Sequence, residues 1–268
     1  MTTMIKDVSA SRIDVVTGQV ERRQELVAKE APLHIFIGGI HLVSILCSPT
    51  SKKELVVGHL FSEGMVADMD EIVNLRLERE SVCRVTLRKT DAEERGVISK
   101  PFSRLVVSAC GSADYESLAK LLETIDFPSL PSSKVDARIV LKCVKQLNFL
   151  AQNFRRTGGV HAAALFKHDG NLVVFAEDVG RHNAVDKVFG ASLLQSHDIN
   201  SCFLASSGRL TADIVMKAAR MKIPIVASLS APVDSGVDVA ERAGLTLIGF
   251  VRGNRMNVYA NPERIRIS

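Results

Sequence analysis

The chain has no tryptophan and only two tyrosines in 268 residues, and its lysines and arginines form no dense stripe. Nucleic-acid binding by base stacking and phosphate neutralisation needs both features, so that class is not expected. No Cys-x-x-Cys pair occurs. The five cysteines, Cys47, Cys83, Cys110, Cys143 and Cys202, are scattered and odd in number, which argues against a disulfide framework. No Walker phosphate-binding sequence and no Gly-x-Ser-x-Gly elbow precedes a helix. A zinc deaminase would carry His-x-Glu and a later Pro-Cys-x-x-Cys; here His161 is followed by Ala162 and Ala163, so zinc is not expected. The first 24 residues hold no apolar stretch of the signal-peptide kind and no clear period, so they are expected to form a poorly ordered tail. The longest greasy run, Leu33 to Cys47, is too short to cross a bilayer and is interrupted by Gly38-Gly39. A membrane role is therefore not expected, and a reducing cytoplasm suits the free thiols.

What is present is an ordinary globular composition, 46% hydrophobic and 24% charged, enough for a sizeable core. The net charge of +4 is a mild excess that favours an anionic ligand. Leu33 to Cys47 reads as two strands joined at Gly38-Gly39. Residues 51–64 read as a helix, with Ser51 and Glu54 as a capping box and Gly64 as its stop. Alternation of Val73, Leu75 and Leu77, then of Cys83, Val85 and Leu87, predicts a half-buried hairpin with these side chains inward. The Pro- and Ser-rich stretch FPSLPSSK separates an N-terminal α+β subdomain over 25–130 from a core over 131–268. In that core, Val140, Cys143, Val144 and Leu147 form a helical stripe, and strands alternate with helices to the C-terminus. That alternation predicts βαβ units in a largely parallel sheet.

Ligands of such a sheet settle beyond the carboxyl ends of its strands. The loops there are Glu177–Asn183, Ser206–Thr211, Ser230–Gly236 and Arg252–Arg255, and they mix small residues with arginines. Helix starts and guanidinium forks hold phosphates, so these loops describe a site for a large anionic molecule. His161 and His182, read alone, suit hydrogen-bonded structural histidines better than ligands.

Cys110 raises a separate question. It follows the apolar run Leu105-Val106-Val107, is flanked by Ser108, Ala109, Gly111, Ser112 and Ala113, and precedes a helical pattern carrying Leu118, Leu121, Leu122 and Ile125. It could be a small packing residue. It could also be a thiol brought up to another molecule by a pliable loop. A helix start lowers a thiol pKa from about 8.5, whereas Asp114 and Glu116 act in the opposite sense.

With these residues assembled, the chain resembles the FdhD family, sulfurtransferase accessory proteins of formate dehydrogenase. The resemblance runs from about Glu25 and is carried by EAPLHIFIGGIHLVSILCSPTSKKELVVGHLFSEG, TGGVHAAALF, EDVGRHNAVDKVFG, SSGRLTADIVMKAARMKIPIVASLSAP and AERAGLTLIGFVRGNRMNVYANPERI. It implies a cytidine-deaminase-like α/β/α core without the zinc chemistry, and a homodimer. It implies further that Cys110 accepts persulfide sulfur from a cysteine desulfurase. That sulfur would pass to the bis(molybdopterin guanine dinucleotide) form of the molybdenum cofactor before the cofactor enters formate dehydrogenase. The family's cofactor stretch falls on Phe250, Val251, Arg252, Gly253, Asn254 and Arg255. Ser207, Gly208, Arg209, Ser230, Arg181 and His182 join the expected site from the strand-end loops, and His161 from the strand start after Gly158-Gly159, with Arg209, Arg252 and Arg255 on phosphates and a guanine nucleotide as a mimic of the cofactor. One departure stands out: many members carry a second cysteine three residues after the first, and here that position is Ala113. A cofactor chaperone without sulfur chemistry is the alternative reading, and a nucleotide-modifying hydrolase is a third class.

Overall fold

The computed structural model describes residues 3–88 and 127–267; Cys110 and its loop lie outside the described residues. The chain opens on a hairpin, β1 (Ile5–Ile13) paired antiparallel with β2 (Val20–Ala28). This corrects the expectation of a poorly ordered tail over residues 1–24. The pairing is backbone-driven and most of its side chains are exposed, so it leaves little hydrophobic period to read.

A four-stranded sheet follows, in the order β4-β3-β6-β5. Strands β3 (Ala31–Ile37) and β4 (Ile40–Cys47) meet at Gly38-Gly39, both at positive φ, as a two-residue hairpin turn requires. Strands β5 (Ile72–Glu78) and β6 (Val82–Leu87) form the expected hairpin, and Cys83 is fully buried. Val73 was expected inward but is 62% exposed, because a register shift between Ile72 and Asn74 turns it out.

Helix α1 (Lys52–Ser62) connects β4 to β5, and Gly64 takes positive φ just after it. The capping box does not form. Ser51 sits at φ 53, ψ 42 and makes no side-chain bond to the helix; an extended N-cap conformation would be needed to aim its hydroxyl at the first amides.

The second sheet has six strands in the order β13-β12-β11-β10-β8-β9. These are β8 (His161–Lys167), β9 (Leu172–Asp178), β10 (Cys202–Ser206), β11 (Ile225–Ser228), β12 (Thr246–Arg252) and β13 (Arg255–Ala260). Short strands β7 (Val135–Asp136) and β14 (Ile265–Arg266) pair beside it. Only β10–β11 and β11–β12 are parallel; β8–β9, β8–β10 and β12–β13 are antiparallel. The sheet is therefore mixed, which corrects the largely parallel expectation. Helix α4 (Arg181–Leu194) does carry a crossover from β9 to β10, but β8 occupies the place between those strands and runs against both. At the other edge the two-residue Gly253-Asn254 turn forces β13 back along β12.

Helix α2 (Ala137–Leu150) covers one face, packing Val140, Cys143, Val144 and Leu147 among Phe166, Phe203, Ile225 and Ile248. Asp136 caps it through Arg138 N. Its continuation, α3 (Gln152–Thr157), starts on the Glu177 carboxylate, which accepts from Asn153 N and Phe154 N. On the opposite face, α4, α5 (Ala212–Arg220) and α6 (Asp234–Arg242) bury Val185, Val188, Phe189, Ile214, Val215 and Val239 against Leu165, Leu204, Val226 and Leu247. The result is a mixed α/β core of helix, sheet and helix. The same apolar cluster continues without a break into α1, β3 and β6.

Helices α1 and α4 touch backbone to backbone. A Cβ on Gly58 would lie 1.7 Å from the Asp186 carbonyl oxygen, and one on Gly190 would lie 1.8 Å from that of Glu54. Only glycine fits at either crossing point. No helix among the described residues is long and apolar enough to cross a membrane.

Candidate functional site

Because β8 runs against β10, its first residue, His161, meets the carboxyl ends of β9, β10, β11 and β12 at one sheet edge. The loops at this edge are stitched together by small hydroxyl side chains and backbone. Ser207 N donates to Ala162 O at 2.9 Å, and Ala162 N donates back to Ser207 Oγ at 2.9 Å, with His161 Nδ1 3.4 Å from the same hydroxyl. Ser228 Oγ donates to Gly208 O at 2.7 Å and accepts from Ser230 N at 3.0 Å. Phe250 N then donates to Ser230 O at 3.0 Å. His161, Ser207, Gly208, Ser230 and Phe250 are thus linked along one rim; Ser207, Gly208 and Ser230 come from the strand-end loops, His161 from the start of β8, and Phe250 from the stretch that the family resemblance pointed to.

Arg181 begins α4 and crosses to this rim over Gly208, where a Cβ would come within 2.8 Å of the Arg181 Cβ. Its guanidinium lies in the field of Arg209. Burial first, and then the Arg209 charge, pull the Arg181 pKa below its ordinary value. Burial and then the charges of Arg181 and Arg209 also lower that of His161, which is therefore neutral at pH 7. Arg181 Nε is buried and has no hydrogen-bond partner among the described residues. Two cations held together against their repulsion, one with an idle donor, form a site that an anion would stabilise.

The remaining expected residues fall into two groups. Val251 is 1% exposed and belongs to the core under α2, so its side chain does not face the rim. Arg252, Gly253, Asn254 and Arg255 form the exposed β12–β13 turn on the β12 side of the same edge. There the Arg252 guanidinium stacks 5.0 Å from the centre of the Phe250 ring. His182 faces Asp213 and lies in the field of Arg181, Lys217, Asp186 and Glu63. Its Nε2 is 3.7 Å from Asp213 Oδ2 and has no hydrogen-bond partner among the described residues. Burial, Arg181 and Lys217 push its pKa down to about 4. Burial, followed by Glu63, raises Asp213 to about 6.

Sequence reasoning missed the groups that set Arg181 in place. Asp178 is fully buried beside β9's end and pairs with Lys187 at 2.6 Å. It also accepts from Ser48 N, Gly180 N and Asn183 Nδ2. One carboxylate thereby ties the loop that carries Arg181 to the end of β4. One turn further in, Lys217 Nζ is bonded to both Asp186 oxygens at 3.0 Å, to Glu63 at 2.7 Å and to Ser62 Oγ at 2.8 Å. The available signal was the adjacent Asp186-Lys187 pair set between Ala184-Val185 and Val188-Phe189. Charges in such a setting are buried only when paired.

Burial alone would raise the Asp186 carboxyl, but Lys217 and His59 outweigh it and bring it down to about 2. Its folded pKa lies below the ordinary 3.8, so its contribution is present above pH 3.8 and fades as pH falls towards 2. That contribution is about 2 kcal/mol. In acid unfolding followed by circular dichroism, Asp186→Asn should lack this component of the pH dependence between those values. An unchanged acid profile would contradict the assignment.

The FdhD/NarQ family model matches residues 28–266. A sulfur carrier protein FdhD from Nocardia farcinica is 39% identical over 251 residues, covering 91% of this chain and 90% of its own. One from Sulfurisphaera tokodaii is 36% identical over 265 residues, covering 97% and 99%. A solved structure assigned to a formate dehydrogenase accessory protein from Desulfotalea psychrophila superposes with a TM-score of 0.79 at 28% identity, covering 98% of this chain and 100% of that one.

Proposed function

The chain belongs to the FdhD/NarQ family, and on that premise we propose that it is a sulfur carrier serving formate dehydrogenase. Cys110 is the carrier. Its thiolate attacks the outer sulfur of a cysteine desulfurase persulfide; a new S–S bond forms on Cys110, the old one breaks, and the desulfurase cysteine departs as thiolate. An acceptor later takes the outer sulfur, and Cys110 leaves as thiolate in turn. The cargo receiving the sulfur is the bis(molybdopterin guanine dinucleotide) cofactor, held at the rim formed by His161, Arg181, Ser207, Arg209, Ser230 and Phe250.

The observation that carries the carrier assignment is the state of the other thiols. Cys47, Cys83, Cys143 and Cys202 are all fully buried. Burial raises the first two to about 11 and Cys143 to about 12, and raises Cys202 as well. A thiol held protonated inside a core is inert. Of the five cysteines, Cys110 is left. The helix–sheet–helix layering supports the cytidine-deaminase-like reading of the core; free thiols suit a cytoplasmic setting, and a homodimer is what the family resemblance implies.

The rim is tested with guanosine diphosphate as a cofactor mimic, titrated calorimetrically into the full chain. Arg181→Ala and Arg209→Ala should each weaken binding at least about tenfold, since a charge-assisted hydrogen bond contributes about 1.5–3 kcal/mol. Identical isotherms would remove both arginines from the site.

A second reading, a cofactor chaperone without sulfur chemistry, is favoured by Ala113, which leaves the loop without the second cysteine that many family members carry. Complementation separates the two. A Cys110→Ser chain that restores formate dehydrogenase activity in cells lacking their own accessory protein would establish the chaperone and refute the carrier.

A further inference from the structure

The outer face of the four-stranded sheet carries a group of side chains that the proposed function does not use. His34 on β3 stands directly opposite Ser44 on β4. His41 would ordinarily point to the other face, but the register shift between Ile35 and Phe36 pairs it with Phe36 and turns it to the same side. Both rings then converge on one oxygen: His34 Nδ1 lies 2.7 Å from Ser44 Oγ, and His41 Nε2 lies 2.9 Å from it. The His41 ring is held edge-on against Phe36 at 5.2 Å between centres. Phe36 is in turn covered by Arg84, whose charge is paired with Glu78 at 3.1 Å. His34 is half-buried, while His41 and Ser44 are exposed, so the cluster opens to solvent.

We propose that His34 Nδ1 and His41 Nε2, with the Ser44 hydroxyl, form a binding site for a borderline divalent transition-metal ion such as Ni²⁺, Cu²⁺ or Zn²⁺. Imidazole nitrogens suit these ions. The site needs the two rings directed at one point from a fixed backbone, and the bulge and the Phe36 contact supply that. Each ligating nitrogen gives its lone pair, so the neutral ring carries its proton on the opposite nitrogen: Nε2 for His34 and Nδ1 for His41. No third His, Cys, Asp or Glu completes the set among the described residues, so the ion retains water ligands and exchanges with solvent. The bulge that creates the convergence also explains why alternation along β4 did not reveal it.

The test is calorimetric titration of Ni²⁺ into the full chain at neutral pH, with accessible thiols alkylated so that cysteine cannot compete. One equivalent is expected to bind. His34→Ala and His41→Ala should each weaken it at least about tenfold, since even outer-shell partners of a metal shift affinity by about 10–100-fold. Ser44→Ala should have a smaller effect, and His197→Ala, an exposed histidine elsewhere, none. Unfolding midpoints of the variants should match the parent, because the substituted side chains hold no core. Absence of binding to the parent, or unchanged binding in the His34→Ala, His41→Ala double variant, would overturn the proposal.

Discussion

Cys110→Ala is expected to take up no sulfur when the chain is incubated with a cysteine desulfurase and cysteine, whereas the parent gains the mass of one sulfur atom. The effect should be complete rather than graded. No other cysteine can substitute, because the four within the described residues are buried and held protonated. A reacting thiol must be thiolate, and raising its pKa by about two units lowers the thiolate fraction at neutral pH about a hundredfold. Intact-mass spectrometry before and after reductant reads the result, since a persulfide is lost on reduction. Ala113 leaves no second loop cysteine to trap the sulfur as an internal disulfide, so the loaded form should remain as the persulfide until an acceptor arrives.

Gly190→Ala should destabilise the fold by about 3 kcal/mol or more, at the upper end of what overpacking a core produces. Two effects oppose each other. Alanine in a helix interior is better than glycine by about 1 kcal/mol. Against this, its Cβ would sit 1.8 Å from a backbone carbonyl oxygen, far inside any van der Waals contact, so α1 and α4 must move apart. The clash wins because its partner is backbone, which cannot rotate away. Gly58→Ala should behave alike, its Cβ falling 1.7 Å from the Asp186 carbonyl oxygen. The two losses should not add. Once one substitution has parted the helices, the other meets an opened interface, so the double variant should be more stable than the summed singles by about 1 kcal/mol or more. Urea unfolding of the four proteins measures this cycle. Additive losses would mean that the two glycines are not at a shared contact. Because α4 also delivers Arg181 to the rim, both variants should bind guanosine diphosphate more weakly than their remaining folded fraction accounts for.

The parts of this fold that sequence reveals are those where period and punctuation agree. The β3–β4 turn at Gly38-Gly39, the β5–β6 hairpin and the strands and helices from β8 to β12 all follow from apolar spacing bounded by turn residues. Strand direction was harder to see. Helix α4 does join two parallel strands, but β8 is inserted between them, and no local feature of β8 announces its neighbour on the far side. The N-terminal hairpin was hidden because its stability rests on backbone pairing with few buried side chains.

The rim was legible for a topological reason. Strand ends in such a sheet converge, so loops rich in small residues and arginine were expected to meet, and Arg181, Ser207, Gly208 and Ser230 lie along one rim; His161 and Phe250 beside them were not part of that argument. Their support was legible only in part. The apolar neighbours of Asp186 and Lys187 signal buried charge, but nothing in the sequence pairs Lys187 with Asp178, nine positions away, until the turn after β9 brings both inside. Val251 reads as one more residue of a binding stretch, and only the pleat assigns it to the core. The His34–Ser44–His41 group depends on a bulge, which breaks the alternation that strand reading assumes.

Peptide mapping decides whether sulfur travels on Cys110. The full chain, loaded by a desulfurase with cysteine and then alkylated without reduction, is digested and its cysteine peptides are sequenced by mass spectrometry. The account predicts the alkylated persulfide in the peptide containing Cys110 alone. Finding it on the peptide of Cys47, Cys83, Cys143 or Cys202 instead, or on none, would contradict it.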